Sequence, residues 1–329
     1  MAIVDIRDLS RDFGSLKAVD KVTFAVEEGE IFGFLGPNGA GKTTTLSMLS
    51  TLLEPTSGHA TVNGFDIEAQ KDDVRKSIGI VFQDQSLDEE LTAYENMDFH
   101  GRLYRVPKEI RTARIPELLR LVELEDREDD LVKTFSGGMR RRLEIARGLL
   151  HEPRVLFLDE PTLGLDPQTR NKIWEYVQNL NQTKKMTIIL TTHYMDEADR
   201  LSNRVAIIDA GRIIAIDTPQ KLKDSIGGDI ITFKTSDNKA VLEMAKKRPW
   251  FKSSKEDDSR IVLNVADAET NVADLVSLAC GAGIAVQSIS INQPTLEDVF
   301  LHYTGKTIRA QDADPKDRMR RMRQMRGRR

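Results

Sequence analysis

Eight consecutive residues near the start of the chain, Gly36–Thr43, have the spacing GxxxxGK[ST] of a loop that binds phosphate groups. Glycines let such a backbone curl so that successive N–H groups face one phosphate, and Lys42 adds a positive charge beside its oxygens. An apolar run precedes the loop at 31–35 and a largely apolar one follows at 46–53, which predicts the required strand and helix. The hydroxyl of Thr43 is suited to Mg²⁺. The residues predicted to contact a nucleotide are Gly36, Pro37, Asn38, Gly39, Ala40, Gly41, Lys42, Thr43 and Thr44.

Two adjacent acids follow another apolar run, where Val155–Leu158 leads into Asp159 and Glu160. A hydrophobic strand that ends in an acid is typical of the Mg²⁺-binding strand of phosphate-transfer sites, and Asp159 is that acid. The next carboxylate, Glu160, is placed to orient or deprotonate an attacking water. The alternative is a pair of acids at an exposed strand end, which the phosphate loop beside it makes less favoured.

A second set of small residues, Ser136–Gly138, lies directly before the helical pattern of Met139–Leu150. The N-terminus of a helix attracts anions, so this segment also indicates a phosphate contact. Ser136 can at the same time cap the helix, and the two roles are compatible. We interpret the following Arg140–Arg142 as a solvated helix face.

The first two thirds of the chain alternate β-rich and helical runs, as in a parallel α/β core. Between Asp84 and Thr134 the strand pattern disappears, and the spacing of Ile115, Leu118, Leu119 and Val122 predicts a helical insertion. The predicted strands of the core are Ile31–Leu35, Val155–Asp159 and Thr187–Thr192, with a hairpin of Val205–Asp209 and Ile213–Asp217.

The pattern changes at residues 226–229, after which strands and helices follow in the order βαββαβ. This order suggests a small α+β domain of ferredoxin-like type. We therefore predict a nucleotide-binding domain at 1–226 with a helical part at about 84–135, a second domain at 227–308 and a basic tail at 309–329. The predicted elements of the second domain are strands at 230–235, near 250–252, at 260–265 and at 285–291, and helices at 240–248 and 271–279.

The composition is that of a soluble globular protein, with 40% hydrophobic and 30% charged residues in a chain of 329. Its longest apolar stretch, Leu278–Val286, is far shorter than the roughly 18 residues that a membrane helix needs. Met1–Ser10 carries two aspartates, whereas a signal peptide would begin basic and continue apolar. The single cysteine, Cys280, lies in an apolar segment and is expected to be a buried thiol in a reducing cytoplasm.

The formal net charge of −4 conceals a basic tail, because Lys316–Arg329 carries +7 and leaves −11 for residues 1–315. A solvated, disordered extension is the simplest interpretation of the tail. Alternatively, Met319, Met322 and Met325 recur among the arginines as in a short amphipathic helix on an anionic membrane surface. Nucleic acid is not an expected partner, because the acidic body repels it and no aromatic residue interleaves the arginines.

The order of the phosphate loop, Gln83, Ser136–Gly138, Leu158–Thr162 and His193 resembles the ATP-binding subunit of an ABC transporter, over about Ile3–Asp217. The resemblance implies an α/β P-loop NTPase with a mixed sheet core and a helical insertion, and it implies ATP and Mg²⁺ as ligands. It also implies a homodimer in which a signature segment of one chain contacts the γ-phosphate held by the other. The signature residues are Ser136, Gly137, Gly138 and Met139.

The same resemblance assigns roles to individual positions. Phe13 is implied to stack on adenine, although aromatic residues are more usually buried for packing. Gln83 is implied to contact Mg²⁺ or the attacking water, with Gln85 as the alternative, and Asp166 to cross the dimer interface. A lone histidine at a strand end is usually structural, but the motif order implies that His193 holds the γ-phosphate. The implied catalytic residues are Lys42, Gln83, Glu160 and His193, and the implied Mg²⁺ ligands are Thr43, Gln83 and Asp159.

Residues Gln293–Gly305, QPTLEDVFLHYTG, look like the daunorubicin-resistance (DrrA-like) type of ATPase in the ABC-2 exporter group. That type implies a separate membrane permease, export of a drug, lipid or polysaccharide, and a C-terminal regulatory region. It also implies a peripheral place on the cytoplasmic face of the membrane. The competing class is an ABC ATPase that acts on nucleic acid or ribosomes. Members of that class carry long coiled coils or two ATPase modules in one chain. By its spacing, the run of Leu296, Val299 and Phe300 is an amphipathic helix.

Overall fold

The structure is a computed structural model that describes residues 2–257, 260–292 and 294–304. The chain divides into two compact units, one up to Asp217 and one that begins at Thr218. The boundary predicted from the sequence lies after residue 226, whereas residues 218–226 belong to the second unit. The basic tail at 309–329 and Gln293 lie outside the described residues.

The strands and helices of the first unit are numbered here in chain order. Its strands are β1 (Ala2–Phe13), β2 (Leu16–Glu27), β3 (Ile31–Leu35), β4 (Ser57–Val62), β5 (Phe65–Asp66), β6 (Ile78–Val81), β7 (Val155–Asp159), β8 (Thr187–Thr192), β9 (Arg204–Asp209) and β10 (Arg212–Asp217). Its helices are α1 (Lys42–Leu49), α2 (Lys71–Ser77), α3 (Ala93–Leu103), α4 (Lys108–Leu121), α5 (Gly137–Gly148), α6 (Pro167–Lys184) and α7 (Met195–Leu201), with short 3-10 turns at Glu125–Arg127 and Val132–Thr134.

A six-stranded sheet in the order β10-β9-β3-β8-β7-β6 forms the centre of this unit. Its strands run parallel except for the hairpin of β9 and β10, so the predicted mixed sheet is confirmed. Every residue of β3, β7 and β8 is buried, which explains why these strands appear in the sequence as nearly continuous apolar runs. These three strands carry the sequence motifs at their carboxyl ends.

A second, antiparallel sheet in the order β2-β1-β4-β5 is absent from the elements predicted above. The pairing of β1 with β2 changes register at four places, so the alternation of buried and exposed residues is repeatedly broken. The twelve-residue strands therefore lack the regular period of two that identifies a half-buried strand.

Residues 84–134, all of them described, contain no β-strand and form the predicted helical insertion with α3 and α4. Thr92 begins α3 with a capping box, in which its side chain and that of Glu95 each accept the other's backbone N–H. Ile115 and Leu119 of α4 are fully buried and pack in a cluster with Leu143 of α5. This packing attaches α5 to the insertion.

The second unit has a sheet in the order β12-β13-β11-β14 with all neighbours antiparallel, which is the ferredoxin-like arrangement. Leu296, Val299 and Phe300 are buried on one face of its last helix, as their spacing predicted. Its elements are α8 (Pro219–Ser225), β11 (Asp229–Thr235), α9 (Asn238–Ala245), β12 (Phe251–Asp257), β13 (Arg260–Val265), α10 (Ala268–Gly281), β14 (Val286–Asn292) and α11 (Leu296–Thr304).

The prediction that Cys280 is a buried thiol is wrong, because its side chain is exposed. Helix α10 buries Leu275 and Ala279, and Cys280 follows one residue later, about 100° further around the helix axis. A mostly apolar stretch of sequence that forms an amphipathic helix therefore still exposes some of its residues. Among the described residues, no helix has the length and apolar character needed to cross a bilayer.

Candidate nucleotide-binding site

Three neighbouring strands bring the sequence motifs to one edge of the six-stranded sheet. Strand β8 lies between β3 and β7, and all three are parallel. Gly36 follows the end of β3, Glu160 follows β7 and His193 follows β8. Because the carboxyl ends of parallel strands meet at one edge of a sheet, residues far apart in the sequence form a single site.

The phosphate loop connects β3 to α1, and two of its glycines are required by close contacts. A Cβ atom on Gly36 would lie 2.2 Å from the carbonyl oxygen of Ile208. Gly41 has φ +106° immediately before α1, and its Cβ would lie 2.5 Å from the carbonyl oxygen of Ala18. The loop can therefore pass close to two other backbone segments and direct the N-terminus of α1 toward a phosphate.

The side chain of Lys42, the first residue of α1, is buried against the phosphate loop. Its Nζ donates hydrogen bonds to the carbonyl oxygens of Gly36 at 2.7 Å and Pro37 at 3.1 Å. It also lies 3.3 Å from a carboxylate oxygen of Glu160. The loop thus holds a positive charge beside the acid at the end of β7.

Asp159 joins the phosphate loop to β8 through hydrogen bonds to one of its oxygens. The hydroxyl of Thr43 donates to Oδ1 at 3.1 Å, and the hydroxyl of Thr191 donates to the same oxygen. Burial raises the pKa of Asp159 above its usual value, although the two hydroxyl groups offset part of the shift. A cation beside this carboxylate would restore its charged form.

Glu160 is buried, and both of its side-chain oxygens have a basic neighbour. His193 Nδ1 lies 2.9 Å from Oε2, and Lys42 lies near Oε1. Burial alone would raise the pKa of Glu160, but His193 and Lys42 together hold that pKa below its usual range. The carboxylate is therefore ionised, and His193 Nδ1 is the donor in their hydrogen bond because an ionised carboxylate only accepts.

The backbone of Glu160 adopts an uncommon conformation, with φ 47°. Its N–H donates to the backbone oxygen of Thr191 at 3.1 Å, which fixes the turn after β7 against β8. Residues other than glycine enter this left-handed region rarely, and such positions concentrate at functional sites.

A cavity of about 300 Å³ lies over the phosphate loop, and Gln83 lines it together with Lys42 and Glu160. Gln85 instead accepts a hydrogen bond from Arg140 at 3.2 Å. The structure therefore places Gln83 rather than Gln85 beside the loop. The distinction comes from β6 ending at Val81, which the sequence alone left open.

Phe13 is 42% exposed at the end of β1, so it is not a core aromatic residue. The guanidinium carbon of Arg11 lies 4.8 Å from the centre of its ring. The cavity itself is lined by Leu16–Ala18 of the adjoining strand rather than by Phe13. An aromatic face is thus available near the loop but outside its cavity.

Ser136 caps the N-terminus of α5, where its side chain accepts the N–H of Met139 at 3.3 Å. Asp166 caps the next helix, α6, in the same way. A Cβ atom on Gly138 would lie 2.3 Å from Cγ2 of Thr169, so the first turns of α5 and α6 approach closely. The signature segment and Asp166 therefore lie at adjacent helix ends.

The interpretation of Arg140–Arg142 as a solvated helix face is wrong, most clearly for Arg141. This side chain is 7% exposed and donates to four backbone carbonyl groups as well as to Glu144. Three consecutive arginines do not reveal which one points inward. The acid three residues after Arg141, on the same helix face, was the available sign of an internal ion pair.

A sheet whose parallel strands gather a phosphate loop, an acidic pair and a histidine at one edge, with a helical insertion beside it, defines the nucleotide-binding domain of an ATP-binding cassette. A family model described as ABC transporter matches residues 19–163. A second model, described as ATP-binding protein DrrA1-3-like, C-terminal domain, matches residues 218–304. The chain belongs to the family of ABC transporter ATP-binding subunits, in its DrrA-like group.

Several relatives are similar over nearly the whole chain. Daunorubicin resistance ATP-binding protein DrrA2 of Streptomyces coeruleorubidus is 40% identical, over 90% of this chain and 93% of that protein. Linearmycin resistance ATP-binding protein LnrL of Bacillus subtilis (strain 168) is 39% identical, over 93% of this chain and 100% of that protein. Nod factor export ATP-binding protein I of Cupriavidus metallidurans is 38% identical, over 94% of this chain and 99% of that protein.

Solved structures match about two thirds of the chain. An ATP-binding subunit of an ABC transporter aligns with a TM-score of 0.62 and 31% identity, covering 68% of this chain and 93% of that chain. A dimeric ATP-binding cassette in a post-hydrolysis state, bound to ADP and Pi, aligns with a TM-score of 0.59 and 28% identity. The alignment covers 65% of this chain and 98% of that chain. The predicted fold class is confirmed.

Membership of the family establishes the activity as ATP hydrolysis by a subunit that dimerises and works with a membrane permease. Proteins of this group are exporter subunits, so the predicted class of function is confirmed as well. The alternative of an ATPase that acts on nucleic acid or ribosomes is not favoured by these relatives.

Proposed function

We propose that this chain drives a separate permease of the ABC-2 type that exports a drug, lipid or polysaccharide. The observation that carries the proposal is the presence, in one chain, of the site around Glu160 and a C-terminal domain of the DrrA-like kind. The names of the relatives, which refer to daunorubicin resistance, linearmycin resistance and Nod factor export, support this range of cargo.

Three residues would hold Mg²⁺ with the nucleotide, namely Thr43, Gln83 and Asp159. Their donors are hydroxyl, amide and carboxylate oxygens, the hard ligands that Mg²⁺ prefers. The raised pKa of Asp159, caused first by its burial, fits such a site because a dication favours the ionised carboxylate. When bound, Mg²⁺ neutralises negative charge on the phosphate groups.

The remaining residues of the site would act on the γ-phosphate and on water. Lys42 would bind the β- and γ-phosphate oxygens, and the backbone N–H groups of residues 36–44 would surround them. Glu160, ionised and fixed by its neighbours, would accept a hydrogen bond from the attacking water and orient it. His193 would contact the γ-phosphate, and Phe13 would stack on adenine.

The signature segment, residues 136–139, would serve the nucleotide of a second copy of the chain. In support, these residues do not line the cavity over their own phosphate loop, and Ser136 presents the N-terminus of α5. A γ-phosphate held from both sides would give the closed dimer a higher affinity for ATP than for ADP. Such differential affinity is what allows ATP binding to close the dimer and hydrolysis to open it.

The proposed location is the cytoplasmic face of the cell membrane, where the chain is held by its permease. The Met and Arg residues of the tail would add a contact with anionic lipid. Deletion of Lys316–Arg329 tests this contact by flotation with vesicles that contain anionic lipid. Unchanged vesicle binding, together with unchanged recovery of the complex in membranes, would contradict it.

The decisive experiment is purification of the tagged chain from its own membranes, followed by mass spectrometry and an ATPase assay of the same sample. We expect a polytopic membrane protein that co-purifies and changes the rate of ATP turnover. Lys42→Ala, tagged in the same way, controls for turnover by contaminating ATPases. Recovery of ribosomes or nucleic acid without a membrane partner would contradict the proposal.

A further inference from the structure

The guanidinium group of Arg141 links α5 to the two segments that carry Gln83 and Glu160. Its Nη1 donates to the carbonyl oxygen of Phe82 at 2.5 Å, one residue before Gln83. Its Nη2 donates to the carbonyl oxygens of Asp159 at 2.8 Å and Glu160 at 3.2 Å. The turn after β7 and the segment after β6 are thus joined through one side chain.

Glu144, one helical turn further along α5, extends this connection to the far side of Gln83. Its side chain is 1% exposed, and Oε2 accepts from Arg141 Nη1 at 3.1 Å. Its Oε1 accepts the backbone N–H of Ser86 at 2.8 Å. The pair therefore binds both ends of the segment Phe82–Ser86.

The geometry of these contacts holds the three segments in fixed positions relative to one another. A buried ion pair by itself contributes little to stability, since desolvation offsets its attraction. The planar guanidinium fixes the directions of its N–H donors, and a lysine could not reach the same set of carbonyl groups. Displacement of α5 would leave buried carbonyl groups without donors, which is unfavourable.

We propose that Arg141 and Glu144 are positioning residues that couple the signature segment of a chain to the hydrolytic centre of that same chain. Contact of residues 136–139 with the partner's nucleotide fixes the position of α5. Through their hydrogen bonds, Arg141 and Glu144 then fix the segments that carry Gln83 and Glu160. One nucleotide site thereby senses whether the other is engaged. This inference rests on the proposed pairing of two chains around ATP.

The test uses full-length Arg141→Lys, in complex with its permease, and measures ATP turnover against ATP concentration. We expect turnover at saturating ATP to fall about 10- to 100-fold, as for other misplaced catalytic groups, with half-saturation changed less than about threefold. We expect the Hill coefficient to fall from close to the number of sites toward about 1. Arg142→Gln is the matched control, because Arg142 bonds the carbonyl group of Val122 in the helical insertion instead.

A second variant separates positioning from folding. Arg141→Met with Glu144→Leu replaces the ion pair by apolar side chains of similar volume, a change that can restore stability. We expect the melting temperature of this double variant to exceed that of Arg141→Met alone, while turnover and cooperativity stay low. Recovery of turnover together with the melting temperature would overturn the proposal.

Two further outcomes are decisive. A wild-type Hill coefficient of about 1, or an unchanged one in Arg141→Lys, would overturn the coupling. Failure of the paired-site function itself would be recognised separately, by the absence of an ATP-dependent dimer in Glu160→Gln with Arg141 intact.

Discussion

At the scale of single residues, Glu160 is governed by competing effects of its surroundings. Its burial disfavours the charged carboxylate, yet His193 and Lys42 lower its pKa overall. A carboxylate with a lowered pKa is a weak base, so orientation of the attacking water is the larger part of its proposed role. The negative charge must persist through the approach of water for this role to succeed.

The first prediction concerns Glu160→Gln, which keeps the shape of the side chain and removes its charge. We expect ATP turnover to fall at least about a hundredfold, while ATP binding persists and the dimer accumulates. Phosphate release and size-exclusion chromatography with ATP measure these effects. Glu175→Gln, the same change at an exposed acid of α6, should retain turnover. Wild-type turnover in Glu160→Gln would show that another group orients the water.

The second prediction concerns Ser136→Ala. We expect the free energy of unfolding to fall by about 1 kcal/mol, because the cap of α5 is removed. We also expect ATP turnover to fall by more than this loss of stability explains. Thr218→Ala removes a similar cap from α8 and serves as the control for stability alone. Equal turnover in the two variants would contradict a role for Ser136 beyond capping.

At the scale of elements, Glu197 connects α7 to the segment after Glu160 and to α6. Its Oε1 accepts from the hydroxyl of Thr162 at 2.7 Å and from Nε1 of Trp174 at 2.9 Å. The side chain is fully buried, and this burial raises the pKa of Glu197 despite its hydrogen bonds. A titratable group thus lies behind the turn that carries Glu160.

The third prediction follows from the sign of that shift. Because the folded pKa of Glu197 is raised, the folded state binds its proton more tightly than the unfolded chain does. Its contribution to stability is therefore complete below the unfolded pKa and declines as pH rises toward the folded one. We expect the melting temperature of Glu197→Gln, relative to wild type, to increase as the pH rises above the ordinary pKa of a glutamate.

Glu175→Gln is again the control, since an exposed acid should not change the pH dependence in this way. A difference in melting temperature between Glu197→Gln and wild type that is constant across the pH range would contradict the argument.

Local patterns were sufficient for the elements that carry the motifs. The strands that end before Gly36, Glu160 and His193 are buried on both faces, so their sequences are continuously apolar and easily recognised. The bulged strands β1 and β2 gave no regular period. The inward direction of Arg141 depends on carbonyl groups from two distant segments, which no local pattern contains.

At the scale of the whole molecule, each of the two units has a hydrophobic core of its own. The core of the second unit includes Phe233 and Leu263 from its sheet and Leu275 from α10. The clusters around Phe157 and Trp174 belong to the first unit. All the predicted nucleotide contacts lie before the boundary at Asp217.

The fourth prediction is that a chain ending at Asp217 folds and binds ATP. We expect its dissociation constant to lie within about threefold of the full chain, a difference of less than 1 kcal/mol in binding free energy. Equilibrium binding of a fluorescent ATP analogue measures this, with Lys42→Ala in the short chain as the control. An unfolded product, or a short chain that binds no better than its control, would contradict the division.

The left-handed backbone of Glu160 has a consequence for attempts to engineer this chain. A residue with φ 47° is strained by about 1 kcal/mol unless it is glycine or, to a lesser degree, asparagine. Either replacement would relax the turn, and neither could provide the carboxylate that water needs. Relief of this strain would thus cost the carboxylate, so libraries aimed at thermostability should keep position 160 constant.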